Sequence, residues 1–189
     1  MIIIKTRRVS RAKILEQYPD AAIIDVTSKA KDEFIHLSPF FPHQGIPVPF
    51  SPDWEASCVE AVWQGLKVFE KEDIDTSLFL NTSMKGLKRT SNKSNNYKRG
   101  ATLGHRKGVN GCKDQLLNFL QARLQIYAPT YRWVLENRAQ EQVHKIQALS
   151  SKGTVVLLDY TTNCNIYDTT KPLSHAGLIK AYIEGTYPQ

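Results

Sequence analysis

Ser57-Cys58-Val59-Glu60-Ala61-Val62-Trp63-Gln64-Gly65-Leu66-Lys67-Val68-Phe69 is the stretch on which the reading of this chain turns. At about 100° per residue, Val59, Val62, Leu66 and Phe69 fall on one helical face, and Glu60, Gln64 and Lys67 fall on a stripe beside it. The spacing predicts a helix over 57–69, capped near 51–53, with a carboxylate, an amide and an ammonium at the margin of a buried face. A triplet at i, i+4, i+7 is either a solvated flank with a weak Glu–Lys pairing or the polar rim of a site. Trp63 stands between the apolar face and the stripe. Gly65 removes bulk from the helix middle at about 1 kcal/mol relative to Ala, which a helix accepts when something must approach its backbone closely.

Working outward, 189 residues with 41% hydrophobic and 23% charged composition suffice for one ordinary core. No run approaches the length of a membrane span, and the apolar start Met1-Ile2-Ile3-Ile4 gives way at once to Lys5, Arg7 and Arg8, so the chain reads as cytoplasmic with no membrane partner. Cys58, Cys112 and Cys164 are an odd, scattered set, best taken as semi-buried thiols. Strands are predicted over 2–5 and 21–26, with a helix over 11–17 between them capped by Ser10. Pro39, Pro42, Pro47 and Pro49 make 34–50 an extended, poorly hydrogen-bonded loop. Further helices are expected over 114–126, over 131–137 beyond a break at Pro129, and over 141–149. Val155-Val156-Leu157-Leu158 is the strongest strand and hands directly to Asp159.

The net charge of +7 is localised. Segment 76–113 holds nine of the 25 basic residues, Lys85, Lys88, Arg89, Lys93, Lys98, Arg99, Arg106, Lys107 and Lys113, and none of the 18 acidic ones. With Ser91-Asn92-Lys93-Ser94-Asn95-Asn96-Tyr97 and glycines at 100, 104, 108 and 111, it has loop composition. A wholly basic loop suits phosphate on a nucleotide or a nucleic-acid backbone; the plainer reading is a solubilising surface.

In order along the chain, Glu60-x3-Gln64-Gly65-x-Lys67-x-Phe69, Leu103-Gly104-His105-Arg106, Leu116-Leu117-x2-Leu120-x-Ala122-Arg123, Leu158-Asp159-x-Thr161-x-Asn163 and Gly177-Leu178-Ile179 resemble the motifs of the NADAR (NAD- and ADP-ribose-related) family over about 37–183. The Glu60 helix is the most specific match, to a family pattern near S-E-x-x-x-Q-A-x-K-F. The resemblance implies an α+β, mainly helical, NADAR-like single domain with a small β-sheet over 34–189, preceded by a strand–helix–strand extension over 1–33. It also implies N-glycosidase activity on phosphorylated riboflavin-pathway intermediates or ADP-ribosylated guanine bases. The chain departs from the pattern at Ser38-Pro39-Phe40 for S-N-F, at His105 for the arginine of G-R with Arg106 one place later, at Val109-Asn110-Gly111 where an aromatic is missing, and at Asn163-Cys164 for N-D.

Cleaving an N-glycosidic bond needs a carboxylate to stabilise an oxocarbenium-like transition state or to activate water, and a way to neutralise the departing base. Glu60 is the expected carboxylate and Asp159 the second, unless Asp159 is only a strand-end turn residue. Lys67 would pair with Glu60 or hold a substrate phosphate, and Gln64 would orient ribose hydroxyls or the base edge. Asn163 is an Asx turn or an amide contact, and His105 and His175 are phosphate contacts or structural residues, as is His36. Ser38, Phe40, Trp63 and Arg106 complete the substrate-binding candidates that the resemblance implies. No His-x-x-x-His, Gly-x-Ser-x-Gly or Gly-x-x-x-x-Gly-Lys-Ser pattern occurs, so metal, serine-nucleophile and P-loop chemistry are not expected, nor any cofactor. The expected partner is a nucleotide or ADP-ribosylated substrate, free or carried on nucleic acid, with the oligomeric state left open. The rival reading is a non-catalytic nucleic-acid-binding protein whose 76–113 loop tracks a phosphate backbone.

Overall fold

Val155–Asp159 is buried at every position, and a parallel neighbour occupies each of its edges. The computed structural model describes residues 1–92 and 98–188 and is α+β, with 36% helix, 15% strand and small sheets. In chain order the elements are β1 (Ile2–Thr6), α1 (Arg11–Gln17), β2 (Ala22–Asp25), a 3-10 helix (Glu33–Leu37), β3 (Ile46–Pro47), β4 (Glu55–Ala56), α2 (Val59–Gly65), β5 (Lys67–Phe69), a second 3-10 helix (Thr76–Leu80), β6 (Thr102–His105), α3 (Phe119–Ala122), a π-turn (Arg123–Tyr127), α4 (Ala128–Asn137), α5 (Gln140–Lys152), β7 (Val155–Asp159) and α6 (His175–Ile183). The chain divides into two compact units, Met1–Pro39 with Leu135–Pro188, and Phe40–Val134. Among the described residues, no helix is long and apolar enough to cross a membrane.

In the first unit, β1 and β2 flank β7 in a parallel sheet ordered β1-β7-β2, with Ile2 and Ala22 both opposite Val155. The continuous apolar run of β7 is what a strand covered on both faces requires. Helix α1 starts where predicted: the Ser10 hydroxyl accepts from the Lys13 N–H at 3.4 Å, and Ile14 packs with Ile23, Val156 and Leu158.

The second unit is built around α2, whose Ala61, Val62 and Leu66 join Val48, Phe79, Leu87, Leu117 and Ile126 in one core. Three expectations change here. Helix α2 ends at Gly65 rather than 69, and 67–69 is the strand β5, antiparallel to β6. Its N-cap is Cys58, whose Sγ accepts from the Ala61 N–H at 3.3 Å, and not 51–53. The helix stops because later segments take its last carbonyls: Arg89 donates to the Gln64 oxygen at 3.1 Å, the Asp75 N–H to Gly65 at 2.7 Å and the Arg106 N–H to Leu66 at 3.0 Å. Third, Pro129 does not separate helices. The capping box of Asn118 and Gln121 starts a helical run at Phe119, and the Ala128 N–H reaches back to the Arg123 carbonyl through the π-turn. Pro129, which has no N–H to give, follows where that ladder has already changed register.

Gly65 is the close approach its position suggested. A Cβ there would strike the Phe79 ring and lie 3.2 Å from the Asp75 carbonyl, so the neighbour it admits is this unit's own core.

Candidate active site

The helical stripe survives the early end of α2, since its three polar residues are joined by side-chain hydrogen bonds. Gln64 Nε2 donates to Glu60 Oε1 at 2.8 Å, and Gln64 Oε1 accepts from Lys67 Nζ at 3.0 Å and from the Arg89 N–H at 3.0 Å. The amide therefore has its oxygen toward two cationic residues and its nitrogen toward the carboxylate, which fixes its orientation. Gln64 stands between Glu60 and Lys67 and hydrogen-bonds both. Glu60 and Gln64 are buried, and Glu60 lies in the first turn of α2, where a negative charge suits the helix dipole. Burial pushes the Lys67 ammonium below its usual range, with Arg89 and Lys88 adding to that effect and Glu60 opposing it.

An aromatic wall borders this chain. Trp63, half-buried, stacks obliquely on His105 with ring centroids 4.0 Å apart, and meets Phe119 and Tyr127 edge-on at 5.8 and 5.6 Å. Lys67 Nζ lies 6.0 Å from the Trp63 ring centroid. His105 is 1% exposed, and neither ring nitrogen reaches a partner with full hydrogen-bond geometry among the described residues, although the Trp63 backbone lies close enough to act on the ring. Burial, with the Lys67 charge beside it, drives its pKa down to about 3; the Trp63 backbone opposes that only in part. The imidazole is neutral at ordinary pH.

The basic segment behaves differently from the expectation that its cations face solvent. Arg89 is buried, donating to the carbonyls of Lys67 and Asp73 at 2.6 Å each, with its guanidinium 5.0 Å from the Phe69 ring centroid. Arg99 and Arg89 both pair with Glu72, and Arg106 and Lys113 both pair with Asp73. Arg106 also donates to the Gly111 carbonyl at 3.3 Å, which makes it a loop fastener. The two acids just ahead of the segment neutralise much of it, a pairing that a count limited to 76–113 misses. Lys85, Lys88, Lys98 and Lys107 are exposed, Lys88 lying 5.7 Å from the Phe40 ring centroid; Lys93 and 94–97 are outside the described residues.

The remaining candidates are in the first unit. Asp159, at the end of β7, is 2% exposed. Its Oδ1 accepts from the Tyr160 N–H at 2.6 Å; its Oδ2 accepts from Ser174 Oγ at 2.7 Å and the Ala176 N–H at 3.2 Å, and lies 3.0 Å from His175 Nδ1. The other ring nitrogen of His175 is 2.8 Å from the Val26 carbonyl. Two acceptors facing two ring nitrogens suit an imidazolium. Burial would lower the His175 pKa, but Asp159 and the Val26 carbonyl raise it above the usual histidine value; burial would raise Asp159, but His175 and Ser174 hold it below the usual carboxylate value. The Ser174 hydroxyl also accepts from the Gly177 N–H at 3.1 Å, capping α6. Its proton goes to the carboxylate and not to the imidazole, so the group is a clamp rather than a nucleophile relay. Asn163 donates to the Asp168 carbonyl at 3.0 Å and accepts from the Asn165 N–H at 3.0 Å, the Asx-turn alternative. Ser38 is buried at the end of the first 3-10 helix. Among the described residues, no group of three or more His, Cys, Asp or Glu is placed to hold a metal ion.

Glu60, Trp63, Gln64, Lys67 and His105 thus belong to one unit, and Asp159, Asn163 and His175 to the other. The residue that sequence reasoning missed is Arg89: nothing in a Gly- and Ser-rich basic stretch marks one guanidinium for burial. The chain belongs to a protein family of unknown function, DUF6939, whose sequence profile matches residues 6–179. No curated protein matches it.

Proposed function

We propose that this protein hydrolyses the N-glycosidic bond of a nucleotide-like or ADP-ribosylated, guanine-type substrate, with Glu60 as the catalytic carboxylate. The observation that carries this reading is the ordered chain Glu60–Gln64–Lys67 beside Trp63 and His105. In the reaction, the bond from the anomeric carbon to the base nitrogen breaks and one from that carbon to a water oxygen forms. Glu60 stabilises the cationic sugar or takes the proton of the attacking water, and the departing base takes up a proton. Gln64 keeps the carboxylate aimed, and Lys67 with Lys88 supplies positive charge for substrate phosphate. Asp159 serves the other unit as a clamp. The NADAR-like order of motifs supports the same chemistry, and a cytoplasmic setting accords with three free cysteines.

The rival reading, nucleic-acid binding without catalysis, requires cations free to meet a phosphate backbone. Arg89, Arg99, Arg106 and Lys113 are already engaged with Glu72 and Asp73. Incubation with a panel of N-glycosides and ADP-ribosylated oligonucleotides, with released bases read by mass spectrometry, tests the proposal. Turnover that depends weakly on salt supports it; binding that falls steeply with salt and releases no base supports the rival.

A further inference from the structure

His105 satisfies its backbone and leaves its side chain unmet. The N–H of His105 donates to the Leu117 carbonyl at 3.0 Å, its carbonyl accepts from the Leu117 N–H at 2.8 Å, and it is the strand partner of Lys67. Gly104, at φ +155°, fixes the approach: a Cβ there would come within 2.6 Å of the Leu117 carbonyl oxygen. The ring is therefore carried on a rigid ladder and cannot shift to find a partner. Burying an imidazole with both nitrogens unmet is unfavourable, and a leucine would fill the place without that penalty. What lies over the ring is Trp63, half-buried and bordered by Phe119, which is 45% exposed.

We infer that His105 is completed by ligand: when the Trp63 side chain gives way to a bound nucleotide, one nitrogen of the His105 ring hydrogen-bonds the heteroaromatic base, and the displaced indole stacks on it. This rests on the N-glycosidase reading and adds to it the group that recognises the leaving base. A neutral imidazole can present either a donor or an acceptor at that nitrogen according to its tautomer, which suits a base edge better than an imidazolium, which can only donate. His105 then sets specificity for a ligand that carries a base, while Lys67 and Lys88 meet phosphate whatever the base.

The test compares wild type with His105→Leu by thermal melting, and by calorimetric titration with guanosine 5′-monophosphate and, separately, with ribose 5-phosphate. The inference expects the variant to melt about 3 °C or more higher, to bind the nucleotide at least tenfold more weakly, and to bind the base-free sugar phosphate within twofold of wild type. A lower melting temperature overturns it, since the ring would then have a partner in the folded protein. Equal loss for both ligands overturns it as well. Unchanged nucleotide affinity overturns the role of His105 but leaves the N-glycosidase reading standing. A wild type that binds neither compound removes both.

Discussion

The Asp159 cluster and the Glu60 cluster are both buried, both polar and both placed where an element ends, yet they are completed in opposite ways. At Asp159 the donors and acceptors are matched within the unit: a carboxylate takes two backbone N–H groups, a hydroxyl and a histidine, and that histidine also meets a backbone carbonyl. Around Glu60 the acid, amide and ammonium are ordered, but the adjoining His105 has two unmet nitrogens. A fully matched buried network rigidifies, whereas a partly matched one raises the energy of the empty state and leaves something for a ligand to complete. The proposed function gives stability to the first cluster and chemistry to the second.

The largest effect should come from Arg89, which donates to the Gln64, Lys67 and Asp73 carbonyls beside the Glu60 cluster. Arg89→Ala removes the donor set that closes the end of α2 and leaves Glu72 with less counter-charge, so unfolding free energy should fall by about 3 kcal/mol or more. Urea unfolding measures this, and a loss under 1 kcal/mol would show that the burial of Arg89 contributes little.

The two histidines should next answer pH in opposite directions. The folded-state pKa of His175 is raised above its ordinary 6.5, so its contribution is complete below pH 6.5 and is lost as pH rises through the folded value. Its partner Asp159 is depressed below 3.8, so its contribution is present above that and is lost as pH falls through the folded value. His105, lowered to about 3, contributes in the other sense: stability declines as pH falls below 6.5, by at most about 1.4 kcal/mol per pH unit. Unfolding titrations of His175→Asn and His105→Leu from pH 4 to 9 should flatten the alkaline limb in the first and the acid limb in the second. Identical profiles in both variants would abolish the distinction between the clusters.

The smallest effect should come from the exposed cations. Lys85→Ala with Lys88→Ala should shift the melting temperature by less than about 2 °C while weakening ribose 5-phosphate binding several-fold, since exposed charges add little to folding. Adding Arg89→Ala to this pair would confuse the measurement, because Arg89 is interior.

These unequal expectations mark where the sequence was legible. Helix α1, strands β1, β2 and β7 and the buried face of Val59, Val62 and Leu66 follow from capping, β-branching and periodicity, which act over a few residues. The stripe of Glu60, Gln64 and Lys67 was legible too, although Lys67 sits on a strand. What ends α2 was not, because Asp75, Arg89 and Arg106 come to the carbonyls of Gly65, Gln64 and Leu66 from 10, 25 and 40 residues further along the chain. Pro129 misled for a related reason: a π-turn ahead of it makes room for the missing N–H, and no local pattern announces one. The burial of Arg89 and Arg99 depends on Glu72 and Asp73, which lie just outside the basic segment.

The proposed roles, catalysis at Glu60 and stability at Asp159, can be read on the same two variants. Glu60→Gln and Asp159→Asn are compared for base release per folded molecule on whichever panel substrate the wild type cleaves, with melting temperatures recorded on the same samples. Glu60→Gln should lose at least 100-fold in turnover and melt within about 3 °C of wild type, whereas Asp159→Asn should melt well below wild type and keep its turnover per folded molecule. An Asp159→Asn variant that stays folded and loses base release, beside a Glu60→Gln variant that retains it, would reverse these roles.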